Sequence, residues 1–219
     1  MVALLVALVV VIALAVELHV VRRGTLREPE VTPGLLPMRA PAPPESVFLT
    51  RGHTWVRMTT EGTLRVGIDD LIAQALGEVE SVWVPQPGTE VRTGDALMRM
   101  RVGGRELTVG SPGDGVVESF NVQAVSAPWA IAQDPYRSGW VVSLRPRDYE
   151  AMIAPLRMGA TAAAYLRNEM ARLVELLTTP VQVGGAPVLA DGALPARGAA
   201  ARLDDTAWAS FEKAFVRAR

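Results

Sequence analysis

From Met1 to Val16 no charged or polar side chain interrupts the chain. The apolar run extends to Val21, with only Glu17 and His19 near its far end. As a helix these residues would span about 31 Å, enough to cross a bilayer core. They show no polar stripe of the kind a surface helix carries. Arg22, Arg23 and Arg27 follow, and then prolines accumulate up to Pro41, Pro43 and Pro44. Residues 22–46 therefore read as an extended, stiff linker.

Between 47 and 146 the pattern changes to short alternating runs divided by turn residues. Strands are predicted at 48–49, 54–58, 64–68, 78–84, 90–91, 96–102, 105–109, 115–120 and 140–144. One helix is predicted at 70–76, capped by Asp69 and ended by Gly77. Pro85-Gln86-Pro87-Gly88 and Pro112-Gly113-Asp114-Gly115 punctuate the runs. The rhythm is mainly β, that of a small antiparallel sandwich or flattened barrel.

The sharpest local pattern is the hairpin around Gly103-Gly104. A glycine pair suits the positive φ angles of a type I′ turn. The implied register sets Val102 against Arg105, Arg101 against Glu106, Met100 against Leu107, Arg99 against Thr108 and Met98 against Val109. One face is then apolar. The other brings Arg101 opposite Glu106, a favourable cross-strand pair.

After 146 the period becomes helical. A helix is predicted over 149–177, where Tyr165, Met170, Leu173 and Leu177 recur at helical spacing. Thr179-Pro180 ends it. Residues 180–203, rich in Gly, Ala and Pro, read as a loop wrapping a surface. A terminal amphipathic helix is predicted at 205–217, with Asp204 or Asp205 as its cap and Trp208, Phe211 and Phe215 on one face. The plan is thus a transmembrane helix (1–21), a Pro-rich linker (22–46), a β domain (47–146), a helical extension (147–179) and a loop with a terminal helix (180–219).

Charge orients this plan. Arginines follow the apolar run and no side-chain charge precedes it, so the positive-inside rule predicts the N-terminus outside and the domain in the cytoplasm. A cleaved signal ending near Ala13-Leu14-Ala15 is the rival, but it lacks a basic region at its start. A formal net charge of −1 argues against a nucleic-acid binder driven by phosphate contacts. Cysteine is absent, which excludes disulfides, thiol catalysis and cysteine-ligated clusters.

An ordered series of short stretches runs through the β domain: His53-Thr54-Trp55-Val56, Val66-Gly67-Ile68-Asp69-Asp70, Ala75-Leu76-Gly77-Glu78-Val79, Pro87-Gly88-Thr89-Glu90-Val91, Gly94-Asp95, Ser111-Pro112, Asp134-Pro135-Tyr136 and Gly139-Trp140. In this series the chain resembles the glycine-cleavage H protein, a lipoyl carrier. The resemblance implies a lipoyl-domain-like β-hammerhead with C-terminal helices. It also implies a hairpin lysine bearing lipoate. Counting back from Ser111-Pro112 puts that lysine at Gly104, and the chain's sole lysine is Lys213. Glycine offers no amine for lipoylation. The resemblance further matches His53 to a family histidine outside the lipoyl chemistry, with Thr54 a departure beside it.

No other residue set carries chemistry. His53 has no sequence neighbours that would complete a metal site, so a structural role is favoured. His19 would lie at the membrane interface, where ligation of a haem or pigment is the alternative. Asp69 and Asp70 are adjacent and read as a cap and its neighbour rather than an acid–base pair. Glu78 and Glu80 read as a solvated face. The 110–115 loop lacks the Lys-Ser/Thr ending of a phosphate loop. Trp208, Phe211 and Phe215 are the candidate partner-docking stripe, with packing on the chain's own domain as the other outcome.

These readings predict a protein that is not an enzyme and holds no cofactor, metal or small-molecule substrate. The expectation is a single-pass protein of the inner membrane, held in the bilayer by residues 1–21. It would be an accessory scaffold that clamps integral membrane subunits of a larger complex, photosynthetic or respiratory. The alternative is a membrane-tethered adaptor for the soluble partners of lipoyl carriers.

Overall fold

Alternation of apolar and polar side chains builds the strands, and glycine, proline and capping residues end them. The computed structural model describes residues 36–178 and 194–217. The predicted membrane helix 1–21, linker residues 22–35 and residues 179–193 of the loop lie outside the described residues. Among the described residues no helix is long and apolar enough to cross a membrane.

The elements in chain order are β1 (Phe48–Leu49), β2 (Thr54–Met58), β3 (Leu64–Ile68), α1 (Asp70–Leu76), β4 (Ser81–Trp83), β5 (Glu90–Val91), β6 (Ala96–Val102), β7 (Arg105–Gly110) and β8 (Gly115–Phe120). There follow α2 (Val122–Ser126), α3 (Trp129–Gln133), β9 (Val142–Pro146), α4 (Tyr149–Ile153) and α5 (Gly159–Thr178). A 3₁₀ turn (Ala200–Arg202), α6 (Asp205–Phe211) and a π turn (Glu212–Val216) close the chain. One sheet runs β1-β2-β3-β9-β8-β5 and a second runs β4-β6-β7, with every pair antiparallel. This is the antiparallel fold with C-terminal helices that the sequence predicts.

α1 forms as its termini dictate. Asp69 accepts from the Ile72 amide at 3.1 Å, and the amide of Gly77, at φ +72°, donates to the Ala73 carbonyl at 3.1 Å. The helix is buried throughout. Its Gln74 is therefore tied by its side chain to the backbone of Arg39, accepting at 2.6 Å and donating at 3.2 Å.

Three predictions of structure need correction. The strand at 78–84 shortens to β4, and the strand at 140–144 lies two residues later, as β9. Residues 121–139 hold α2 and α3, which no periodicity announces in five residues each. Asn121 caps α2, and its side-chain amide donates to the carbonyls of Ser138 and Trp140 at 2.8 Å each. The helix predicted over 149–177 divides into α4 and α5. Pro155 lacks the amide a continuous helix needs, and Gly159 turns at φ +55°.

One apolar cluster joins both sheets, α1, α5 and the terminal helix. α5 contributes Ala162, Leu166, Met170, Leu173 and Leu177, an inward stripe at spacings of three and four. β6 shows how strictly the pattern is read. Met98, Met100 and Val102 are buried while Arg99 and Arg101 are exposed. Leu97 breaks the alternation and is also buried, because the register shifts between Ala96 and Met98.

Candidate functional site

The β6–β7 hairpin has the predicted register from Met98↔Val109 to Val102↔Arg105. Gly103 and Gly104 take φ of +56° and +76°, as a type I′ turn requires. The charges do not pair as the register suggests. Arg101 faces Glu106 in the ladder, yet its guanidinium goes to Glu80, just before β4, at 3.4 Å, while Arg99 reaches diagonally to Glu106 at 3.9 Å. β4 lies alongside β6, so Arg101 has a second carboxylate within reach, one that reading the hairpin alone does not reveal. Glu80 also accepts from the Gly104 amide at 3.0 Å. It is thus a tether for the turn rather than merely a solvated side chain.

At Gly104 a Cβ would meet open space. At Gly103 it would come within 2.7 Å of the Ala201 carbonyl oxygen. That oxygen belongs to the C-terminal segment, which runs as a strap beside the hairpin tip. Arg105 fastens it, donating from Nε to Asp205 at 3.0 Å and from Nη1 to the Ala201 carbonyl at 3.4 Å, with its guanidinium 5.7 Å from the Trp208 ring centre. The Gly198 amide donates to the Gln74 carbonyl at 2.9 Å, and the backbones of Gly77 and Gly198 touch with no room for a Cβ on Gly77.

The aromatic stripe closes this strap on the chain itself. Trp208, Phe211 and Phe215 are 6%, 0% and 1% exposed. Their predicted role as docking residues for a partner is therefore corrected: the chain's own core buries them. The widened π turn after α6 keeps Phe215 inward, stacked on Phe211 with ring centres 5.4 Å apart. Asp204 provides the cap, accepting from the Ala207 amide at 2.8 Å.

Phe215 leads to a buried polar group. His53, at φ +57°, lies 5.8 Å from it between ring centres. His53 Nδ1 donates to Asp69 Oδ2 at 2.7 Å, and Nε2 faces Glu169 Oε2 at 3.4 Å and the Tyr165 hydroxyl at 3.3 Å. Arg172 donates to both oxygens of Glu169 at 2.7 Å. Burial alone would pull the imidazole pKa down. The adjacent Asp69 carboxylate, through charge and hydrogen bond, and then Glu169 outweigh burial and push it up to about 9. For Glu169, burial works upward, but the bonds from His53 and Arg172 hold it below the ordinary carboxylate range. An imidazolium with both N–H groups so engaged offers no lone pair for a metal or for proton abstraction. The structural role expected of His53 stands, and its distant partner Glu169 had no local sequence signal. Asp70, the neighbour of the Asp69 cap, is pushed up chiefly by burial.

The family model described as "Glycine cleavage H-protein" matches residues 47–169. The chain belongs to that family. It is 31% identical over 124 residues to the "Probable glycine cleavage system H protein" of Thermococcus kodakarensis, covering 57% of this chain and 92% of that protein. It is 29% identical over 122 residues to the "Glycine cleavage system H protein" of Mycobacterium avium, covering 56% and 92%. The crystal structure of an H protein from Mycobacterium marinum superposes with a TM-score of 0.51 at 27% identity, over 57% of this chain and 99% of that one. The H-protein match ends within α5. Most of the strap's contacts with the hairpin tip therefore come from residues beyond it.

Proposed function

We propose that this chain is an unlipoylated H-protein-family scaffold, held in the inner membrane by residues 1–21, with its β domain on the cytoplasmic side. It is not an enzyme and carries no cofactor. Its partners are integral membrane subunits of a larger energy-transducing complex, photosynthetic or respiratory.

One observation supports the reading: the residue that the resemblance sets at the lipoyl position is Gly104, in a left-handed conformation that favours glycine. Lipoyl attachment needs a primary amine there, and the only lysine, Lys213, follows α6 in the terminal π turn. Burial of the His53 group supports the same reading, since it serves packing and not turnover.

A second reading, the membrane-tethered adaptor for soluble partners of lipoyl carriers, draws support from the exposure of Trp83, Arg99 and Arg101 beside the hairpin tip. Two measurements separate these outcomes. Intact mass spectrometry of the native protein is expected to show no lipoyl increment. Purification from solubilised membranes is expected to bring integral subunits in fixed ratio. Recovery of soluble lipoate-dependent enzymes in their place selects the adaptor, and a lipoyl increment overturns both readings.

A further inference from the structure

The outer face of the β4–β6–β7 sheet forms a groove of about 260 Å³, lined by Trp83, Arg99, Arg101, Gly104, Arg105 and Glu106. The geometry points to this groove as the docking site for an extended, acidic segment of a partner protein. The inference rests on the reading of the domain as a docking module and names the chemistry of what it docks.

Arg99 and Arg101 stand two residues apart on one face of β6, which spaces them about 7 Å along the strand. Among the described residues neither guanidinium makes a hydrogen bond. Their nearest carboxylates are Glu106 at 3.9 Å and Glu80 at 3.4 Å, with side chains 64% and 43% exposed. Such loose surface pairs contribute little and exchange readily for a better-aligned carboxylate. Arginine's planar fork favours two-point contact with that group.

The third arginine shows the recognition already made. Arg105 holds Asp205 of the strap at 3.0 Å. Arg105 faces Val102 on the covered side of the hairpin, whereas Arg99 and Arg101 stand on its open side, held only by the loose pairs with Glu106 and Glu80. An extended segment with carboxylates at alternate positions matches the spacing of Arg99 and Arg101.

One apolar anchor touches the pair. Arg99 lies 4.6 Å above the ring centre of Trp83, which orients the guanidinium and leaves half of the indole exposed. α2 packs against both β4 and α3, so Trp83, Val122 and Trp129, all exposed, lie on adjoining elements. Tryptophan and arginine are the residues that most often dominate binding at protein interfaces.

The test uses the full chain in detergent and two fluorescein-labelled peptides, one alternating Glu with Val and the other alternating Lys with Val, read by anisotropy. The Glu peptide is expected to bind and to quench tryptophan emission. The double variant Arg99→Glu, Arg101→Glu is expected to weaken it at least tenfold and to gain affinity for the Lys peptide, a gain that also reports an intact fold. Absence of Glu-peptide binding at millimolar concentration, equal binding of both peptides, or no effect of the double variant overturns the inference. Membrane subunits that co-purify undiminished with the double variant leave the scaffold reading standing while the groove fails. Loss of co-purification from the unaltered chain removes the scaffold reading itself.

Discussion

His53 Nδ1 donates to Asp69 Oδ2 across 2.7 Å with both side chains buried. The folded protein therefore keeps a proton that the unfolded chain releases. An ordinary imidazole titrates near 6.5, whereas this one is raised to about 9. Its contribution is fully present below pH 6.5 and is lost as pH rises through 9. The difference amounts to about 3 kcal/mol. Urea unfolding midpoints should decline between those limits, and His53→Gln should flatten the profile. A stability constant from pH 6.5 to 9 in the unaltered protein would sink the assignment.

Half of this arrangement is legible in the sequence. Asp69 precedes an apolar helical run, so its capping role can be read locally, and Oδ1 indeed accepts from the Ile72 amide. Its second oxygen serves His53, 16 residues away, and Glu169 completes the group from 116 residues beyond His53. Spacing along a helix or strand says nothing about pairs at such separations, which only the packing of α5 over α1 brings together.

The two turn glycines should behave differently although they are adjacent. Gly104→Ala adds a Cβ into open space, and its cost is that of a left-handed alanine, about 1 kcal/mol. Gly103→Ala bears the same backbone penalty and also drives a methyl against the Ala201 carbonyl at 2.7 Å. Its loss of stability should be larger by at least about 1 kcal/mol. Equal midpoints for the two variants in chemical unfolding would show that the strap does not rest on the tip.

The hairpin register was readable because alternation and a glycine pair are local signals, and a one-residue slip would expose Met98 and Met100. The route of the charges was not readable. Arg101 lies opposite Glu106 yet forms its ion pair with Glu80, since the chain entering β4 lies on its other side. The same limit applies to the strap, which reaches the hairpin tip from about 100 residues further along the chain.

The proposed topology follows from Arg22, Arg23 and Arg27 after an apolar run with no preceding side-chain charge. Protease added to right-side-out cells is expected to leave residues 47–146 intact and to digest them once the membrane is opened. Digestion in sealed cells would reverse the orientation.

Truncation of the terminal aromatic side chains decides whether the strap is part of the fold. Phe211 is fully buried and stacks on Phe215, which approaches His53, while Trp208 packs beneath Arg105. A helix as short as α6 gains little from its own propensity, so its order depends on these rings. Removing a buried aromatic side chain typically costs about 3–5 kcal/mol. Phe211→Ala should fall in that range. Trp208→Ala should cost less, because the ring lies nearer the surface and Arg105 retains Asp205. The measurement is the unfolding free energy of the purified chain, with recovery of membrane subunits followed in parallel. A purified protein of unchanged stability, combined with lost recovery, would mean that these rings serve a partner after all. Lost stability, with recovery that follows only the folded fraction, places them in the intramolecular core.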